Sequence, residues 1–406
     1  MKTLYYLFIA LLFLSCKTKP IPQKLTKGNY RGILHIEDEQ VIPFTFEVLN
    51  EGYLKIFNAE EVIDVHEITY ENDSIKIQLP YFEGYISAKL KPNKELKGYF
   101  IKPSLDRVVP FSASPNQPRF TTTTKPTQSV TGNWETVFSP DTENDRYIAK
   151  GIFSQENNKV TGTFRTTTGD YRYLEGVING NRLELSTFDG AHAFLFTATV
   201  ADSTMQGTFY SGNHWKEPFT AKLNNNYELP NAEELTHLKE GYDTFEFSFP
   251  NEKGQLVSLK DKAFKDKVTV VQIMGTWCPN CLDESKFYSE FYKQYKSKDL
   301  AFVGLAFEVA KTQNEAFELI NRLKKQIGIT YPILLAQYGS ADKISAQEKL
   351  PMLNHVLSYP TTVILDKKGN VRKIHTGFNG PATGQKYIDF KNEFEEFINE
   401  LLAEKE

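Results

Sequence analysis

The sequence predicts an α+β multidomain chain: an all-β N-terminal region built as a duplicated meander or barrel-like unit, followed by a C-terminal α/β domain. Three observations carry this. Residues 28–223 run as short apolar/polar alternations separated by turn signals, with no stretch that holds a helical period. Short motifs within that region recur after about 104 to 109 residues. From residue 245 onward, apolar strand-like runs alternate with helical patterns, the signature of a sheet covered by helices.

The first residues form a leader. Lys2 is followed by an unbroken apolar run over residues 4–14 and then Ser15-Cys16, which reads as a secretory signal peptide over residues 1–15. The run is too short to span a bilayer, which needs about 20 residues, and no later segment is long and apolar enough. A small residue directly before a cysteine resembles the lipobox of bacterial lipoproteins, in which that cysteine becomes the lipid-bearing N-terminus. Phe13 departs from the Leu usual at the third position before it. The alternative is an ordinary leader cut nearby, with Cys16 idle. The expectation is an exported lipoprotein, anchored through Cys16 to a bacterial membrane and facing the periplasm, with residues 16–27 as a polar tether.

The β-region divides into a first repeat over residues 28–111, a Pro/Thr/Ser/Gln-rich linker over 112–131 and a second repeat over 132–223. Gly28-Asn29-Tyr30 is echoed by Gly132-Asn133-Trp134, Phe82-Glu83-Gly84 by Phe188-Asp189-Gly190, and Lys97-Gly98-Tyr99-Phe100 by Gln206-Gly207-Thr208-Phe209. A solenoid would repeat every 20 to 50 residues, so a duplicated domain-sized unit fits better. The many aromatics in the strands fit a sheet core better than a binding surface.

Residues 224–244 read as a connector with a short helix over 232–240, and residues 245–406 as the α/β domain. Within it, strands are expected over 268–274, 302–307, 333–336, 361–366 and 371–376. Helices are expected over 283–296, 311–326, 341–349 and 387–403, and Lys367-Lys368-Gly369-Asn370 marks a turn. The 47 basic and 51 acidic side chains nearly balance, and no basic stripe interleaved with aromatics occurs, which argues against nucleic acid as a partner.

Setting Cys16 aside leaves two cysteines, Cys278 and Cys281. A disulfide between them closes almost no loop and would stabilise the fold little, so the pair serves chemistry, either redox or metal binding. Gly275-Thr276-Trp277-Cys278-Pro279-Asn280-Cys281 lies where a buried strand gives way to a helix. Cys278 at the helix N-terminus would have its thiolate stabilised by unpaired N–H groups and the dipole, and Pro279 suits the first helical position. A zinc site would need two further ligands; no cysteine remains, and His355 and His375 stand alone. Neither a metal nor any other cofactor is called for.

These residues, with Tyr359-Pro360-Thr361-Thr362 and the downstream turn, resemble the TlpA/ResA-like branch of the thioredoxin superfamily over about residues 245–402. The resemblance implies a thioredoxin fold and thiol-disulfide oxidoreductase activity. It makes Cys278 and Cys281 the catalytic redox disulfide, Trp277 the tryptophan flanking the nucleophile, and Pro360 a cis-proline beside the pair. The backbone of Tyr359 would then bind an extended substrate. Glu284 matches an acidic residue held near the active site of ResA-like reductases, with an exposed first-turn Glu as the plain alternative. Gln272 departs from the Asp that many thioredoxins bury beneath the site, and Gln relays no proton. Ile273-Met274-Gly275-Thr276-Trp277 is unlike the context of a peroxidatic cysteine.

The function expected is disulfide exchange with exported proteins, as a protein-disulfide reductase, with protein thiols or disulfides in the periplasm and a membrane thiol electron donor as partners. The competing expectation is a ligand- or partner-binding lipoprotein in which the β-region carries the main function and the thioredoxin-like domain is accessory.

Overall fold

Alternating side chains in residues 28–223 bury one face of most strands, which curl into two barrel-like sheets. The structure is a computed structural model that describes residues 24–295 and 299–405. The expected leader over residues 1–15, the lipidation site Cys16 and residues 17–23 of the tether lie outside the described residues.

The first β-unit runs from the strand Gly28–His35 to the strand Arg107–Pro115, each strand antiparallel to its neighbours, and those two strands pair with each other. Its seam lies between Glu61–Val65 and Glu67–Glu71, at the two ends of the sheet. The second unit runs from Gly132–Phe138 to Trp215–Leu223, which also pair, and Tyr147–Glu156 pairing with Lys159–Thr166 closes the ring. Both are barrel-like. The first strands of the two units start at Gly28 and Gly132 and the last at Arg107 and Trp215, offsets of 104 and 108 that match the spacing of the sequence echoes.

The two units share a core: Phe188, Ala193, Leu195 and Tyr210 of the second pack among the buried side chains of the first, such as Phe44 and Phe100. The echoed Phe-x-Gly motifs meet there, since a Cβ on Gly84 would stand 2.8 Å from Gly190 O.

Two segments differ from their sequence reading. The strand Arg107–Pro115 runs into the segment expected as a linker, because Ser112, Ser114 and Pro115 pair with Ile33, Arg31 and Tyr30. Farther along, Arg119 is buried and donates to Phe57 O (2.9 Å) and Asn58 Oδ1 (3.2 Å) of the first unit and to Ser186 O (2.8 Å) of the second. This segment therefore clamps the two units together. The tether likewise docks at its end, with Leu25 buried in the first unit's core.

In the C-terminal domain the sheet order is Ile333–Gln337, Leu300–Phe307, Val268–Met274, Thr361–Leu365, Val371–Thr376, with the first three parallel and Thr361–Leu365 antiparallel to both its neighbours. Every residue of Val268–Met274 and Leu300–Phe307 is buried, which requires cover on both faces. The helices are Pro279–Gln294, Gln313–Ile327, Lys343–Lys349 and Gln385–Ala403. The first and last meet through Phe287, Tyr288 and Phe291 against Phe390 and Phe394. The connector helix is one turn, Ala232–Leu235, shorter than expected, because Thr236 is buried and its Oγ1 pairs with Thr376 Oγ1 at 2.8 Å, which pulls the chain into extended form. Among the described residues, no helix is long and apolar enough to cross a membrane.

Candidate active site

The buried strand Val268–Met274 delivers the chain to Gly275, and the helix starts at Pro279 with Cys278 as its N-cap. Cys278 Sγ accepts the Cys281 N–H at 3.1 Å, and Pro279 fills the first turn where no N–H is needed. The helix therefore starts four residues earlier than its apolar period alone suggests. The two cysteines are at disulfide distance, with Cα atoms 5.2 Å apart. Cys278 is 5% exposed and Cys281 is fully buried.

The structure brings Trp277, Tyr359 and Pro360 to this pair. The Tyr359–Pro360 peptide is cis, and Cys278 Sγ lies 3.3 Å from Tyr359 O. The Trp277 and Tyr359 rings meet edge to face at 5.5 Å, and Trp277 Nε1 donates to Phe307 O at 2.9 Å.

Glu284 lies beneath the site and is fully buried, so it is no solvated first-turn carboxylate. Its Oε2 accepts from Gln272 Nε2 at 2.8 Å, and its Oε1 from Thr362 Oγ1 at 2.9 Å and Tyr288 OH at 3.1 Å. Burial pushes the carboxyl up to about 7, with these three bonds pulling the other way. Gln272 Nε2 also lies 3.4 Å from Cys281 O, and its Oε1 accepts from Ser285 Oγ at 3.0 Å.

A second buried carboxyl is absent from the sequence reading. Glu308, at the end of Leu300–Phe307, accepts from Thr276 N at 2.8 Å and Thr276 Oγ1 at 2.6 Å and so fixes the loop that presents Cys278. Burial raises it to about 7 as well, against the Thr276 bonds. The signal was available: one acid directly after eight apolar residues, where a solvent-facing turn is the ordinary guess.

The β-region also reaches the site, which nothing local in the sequence marks. Arg172, in the loop after Gly169–Asp170, is buried and pairs with Glu61 of the first unit, with Asp189 (3.5 Å) and with Asp283 of the active-site helix (3.5 Å). Its Nη1 donates to Pro279 O at 3.5 Å, between the two cysteines. Asp170 Oδ1 accepts from Arg172 N at 2.7 Å and Oδ2 from Gly380 N at 2.6 Å. Ser358 Oγ, beside Tyr359, donates to Thr168 O at 2.8 Å. Gly169, at φ +145°, sits against Asn280: a Cβ there would stand 2.0 Å from Asn280 Nδ2. A cavity of about 730 Å³ among Phe245, Lys267 and Lys367 lies at the other end of the central strand, beside Thr269 and far from the cysteines.

Strand order, the helix-capping cysteine pair and the neighbouring cis-proline define a thioredoxin-fold protein. The Redoxin family matches residues 239–387. Over 140 residues the chain is 31% identical to the thioredoxin-like protein YneN of Bacillus subtilis (strain 168), a match covering 34% of this chain and 73% of that one. It is 27% identical over 144 residues to the thiol-disulfide oxidoreductase ResA of Geobacillus kaustophilus (strain HTA426), covering 36% and 73% of the two chains. Among solved structures, a thiol-disulfide oxidoreductase from Bacteroides fragilis NCTC 9343 is 20% identical, covering 37% of this chain and 99% of that one, with a TM-score of 0.28. The chain belongs to the TlpA/ResA-like branch of the thioredoxin superfamily.

Proposed function

We propose that the protein is a thiol-disulfide oxidoreductase that reduces disulfides of exported proteins. The observation that supports this most is Cys278 Sγ at a helix N-terminus, accepting the Cys281 N–H at 3.1 Å, with Cys281 buried behind it. That arrangement favours a thiolate at Cys278 and shields the resolving thiol. In the reduced protein, Cys278 attacks a substrate disulfide, forms a mixed disulfide and expels one substrate thiolate. Cys281 then attacks Cys278 Sγ, expels the second thiolate and leaves the Cys278–Cys281 disulfide. The two electrons come from the dithiol, and a membrane thiol donor restores it.

In this reading Trp277, Tyr359 and Pro360 shape the face that the substrate segment meets. Glu284 acts through Gln272 and the helix as a proton reserve beneath Cys281. Cys16 carries the lipid that holds the protein at a bacterial membrane, facing the periplasm, through residues 16–27. The β-units over 28–111 and 132–223 are a duplication. The contacts of the second unit with Pro279, Asn280 and Ser358 favour a cover for the active site over an independent binding module.

The test is turnover of a disulfide substrate with a thiol donor. Cys278→Ser abolishes it, whereas deletion of residues 28–223 alters substrate choice and leaves exchange measurable. Unchanged turnover in Cys278→Ser would sink the reading.

A further inference from the structure

The Thr166–Arg172 stretch closes one side of the cysteine pair, through Asn280, Ser358 and Gly380. On another side a cavity of about 300 Å³ remains, walled by Trp277 and Pro279, the two residues flanking Cys278. Its far wall comes from the β-units: Lys102 and Arg107 from the first, His192 and His214 from the second. Among the described residues, no Asp or Glu lines it.

The cations there are under-used. Lys102 Nζ has three protons to donate and one protein acceptor, Ala191 O at 3.1 Å; among the described residues no carboxylate lies within ion-pair distance of it. Burial, and then the charge of Arg107, lower the Lys102 ammonium to about 8. The two acids whose charges reach Lys102 are engaged elsewhere: Asp189 Oδ2 lies 3.2 Å from His192 Nδ1 and 3.5 Å from Arg172 Nε, and Glu83 accepts from Ser104 N and Oγ. A half-buried ammonium beside a second cation, with no carboxylate in direct contact among the described residues, favours an anion there. The formal net charge of the chain is −4, so the general field repels anions and any attraction is local to this cavity.

We propose that this cavity is a substrate subsite, taking a carboxylate carried next to the reacting cysteine of a short acidic peptide disulfide. The inference rests on the exchange function proposed above and adds the substrate class. The volume is at the small end of ligand cavities, about 300 to 1,000 Å³, so it admits a few residues of extended chain and excludes a folded surface. Exchange follows the same bookkeeping: Cys278 thiolate displaces one thiolate from the peptide disulfide, Cys281 displaces the peptide thiolate, and both electrons come from the dithiol.

The test uses the pre-reduced full chain and three capped peptides, Gly-Xaa-Cys-Gly with Xaa as Glu, Gln or Lys, each joined through its cysteine to 2-thiopyridine. Released pyridine-2-thione gives the second-order rate constant of a single turnover. The Glu peptide is expected to exceed the Gln peptide by about tenfold, the size of one well-placed ion pair. Arg107→Gln and Lys102→Gln each reduce that ratio, and Arg107→Glu moves the preference towards the Lys peptide, a reversal that general loss of fold would not produce. Equal rates for all three peptides in the unmodified chain would overturn the subsite and leave exchange standing. No thione release from any peptide would overturn both.

Discussion

Gln272 and Glu284 are hydrogen-bonded to each other, Nε2 to Oε2 at 2.8 Å, both buried under the cysteine pair. The residue that departs from the buried Asp of many thioredoxins thus donates to a buried carboxyl. Gln272 stabilises the charged form of Glu284, whereas burial opposes it. Glu284→Gln is expected to remove an inflection near pH 7 from the pH profile of kcat/KM for disulfide reduction. Gln272→Leu deletes a bond that lowers the Glu284 pKa, so the inflection moves to higher pH, by roughly one unit. An identical profile in both variants would remove Glu284 from the mechanism.

Glu308 makes stability depend on pH in the direction opposite to a salt-bridged acid. Its folded value of about 7 lies above the ordinary 4.5. As pH rises from 4.5 to 7, the unfolded carboxyl ionises before the folded one, so the folded state loses stability across that window. Glu308→Gln keeps both Thr276 bonds if the hydroxyl turns to accept, and it removes the ionisation. The variant should gain about 1–3 kcal/mol relative to the parent on going from pH 5 to pH 8, read by urea unfolding at both values.

Arg172 ion-pairs with Glu61, Asp189 and Asp283 alike. Replacing it with Met strands buried carboxylates from all three units and is expected to cost about 3–5 kcal/mol. Adding Asp283→Asn to Arg172→Met should recover part of that loss in denaturant unfolding. The single variant should also speed alkylation of reduced Cys278, because the link from the second β-unit to Pro279 O is lost.

Gly169 tests how closely the cover fits. Its positive φ and its contact with Asn280 both penalise a side chain, so Gly169→Ala is expected to destabilise by about 1–3 kcal/mol. Asn280→Ala in the same chain should restore only the steric share, measured as the midpoint of thermal unfolding.

Much of the C-terminal domain was legible because its signals are local. A buried seven-residue run with five apolar side chains, a proline fitting the first helical turn and a cysteine before it specify the strand, the helix and the cap together. Strand Val371–Thr376 keeps its expected bounds, since a Gly-Asn turn fixes its start. The β-units were legible in class and spacing, through alternation and the offset echoes. What stayed hidden depends on distant pairings. Arg172 reads as a loop arginine until Asp283, 111 residues later, is brought beside it, and Arg119 lies in a stretch whose composition says linker. Glu308 and Thr276 are likewise joined only by the pairing of two parallel strands.

In the proposed mechanism Cys278 attacks and Cys281 resolves. The most direct measurement is intact mass after reduced Cys281→Ser is mixed with a disulfide substrate. One substrate chain linked to Cys278 is expected, stable until a thiol reductant is added, and no adduct when Cys278 is the residue changed to Ser. Adducts of equal yield in both variants, or none in Cys281→Ser, would contradict it.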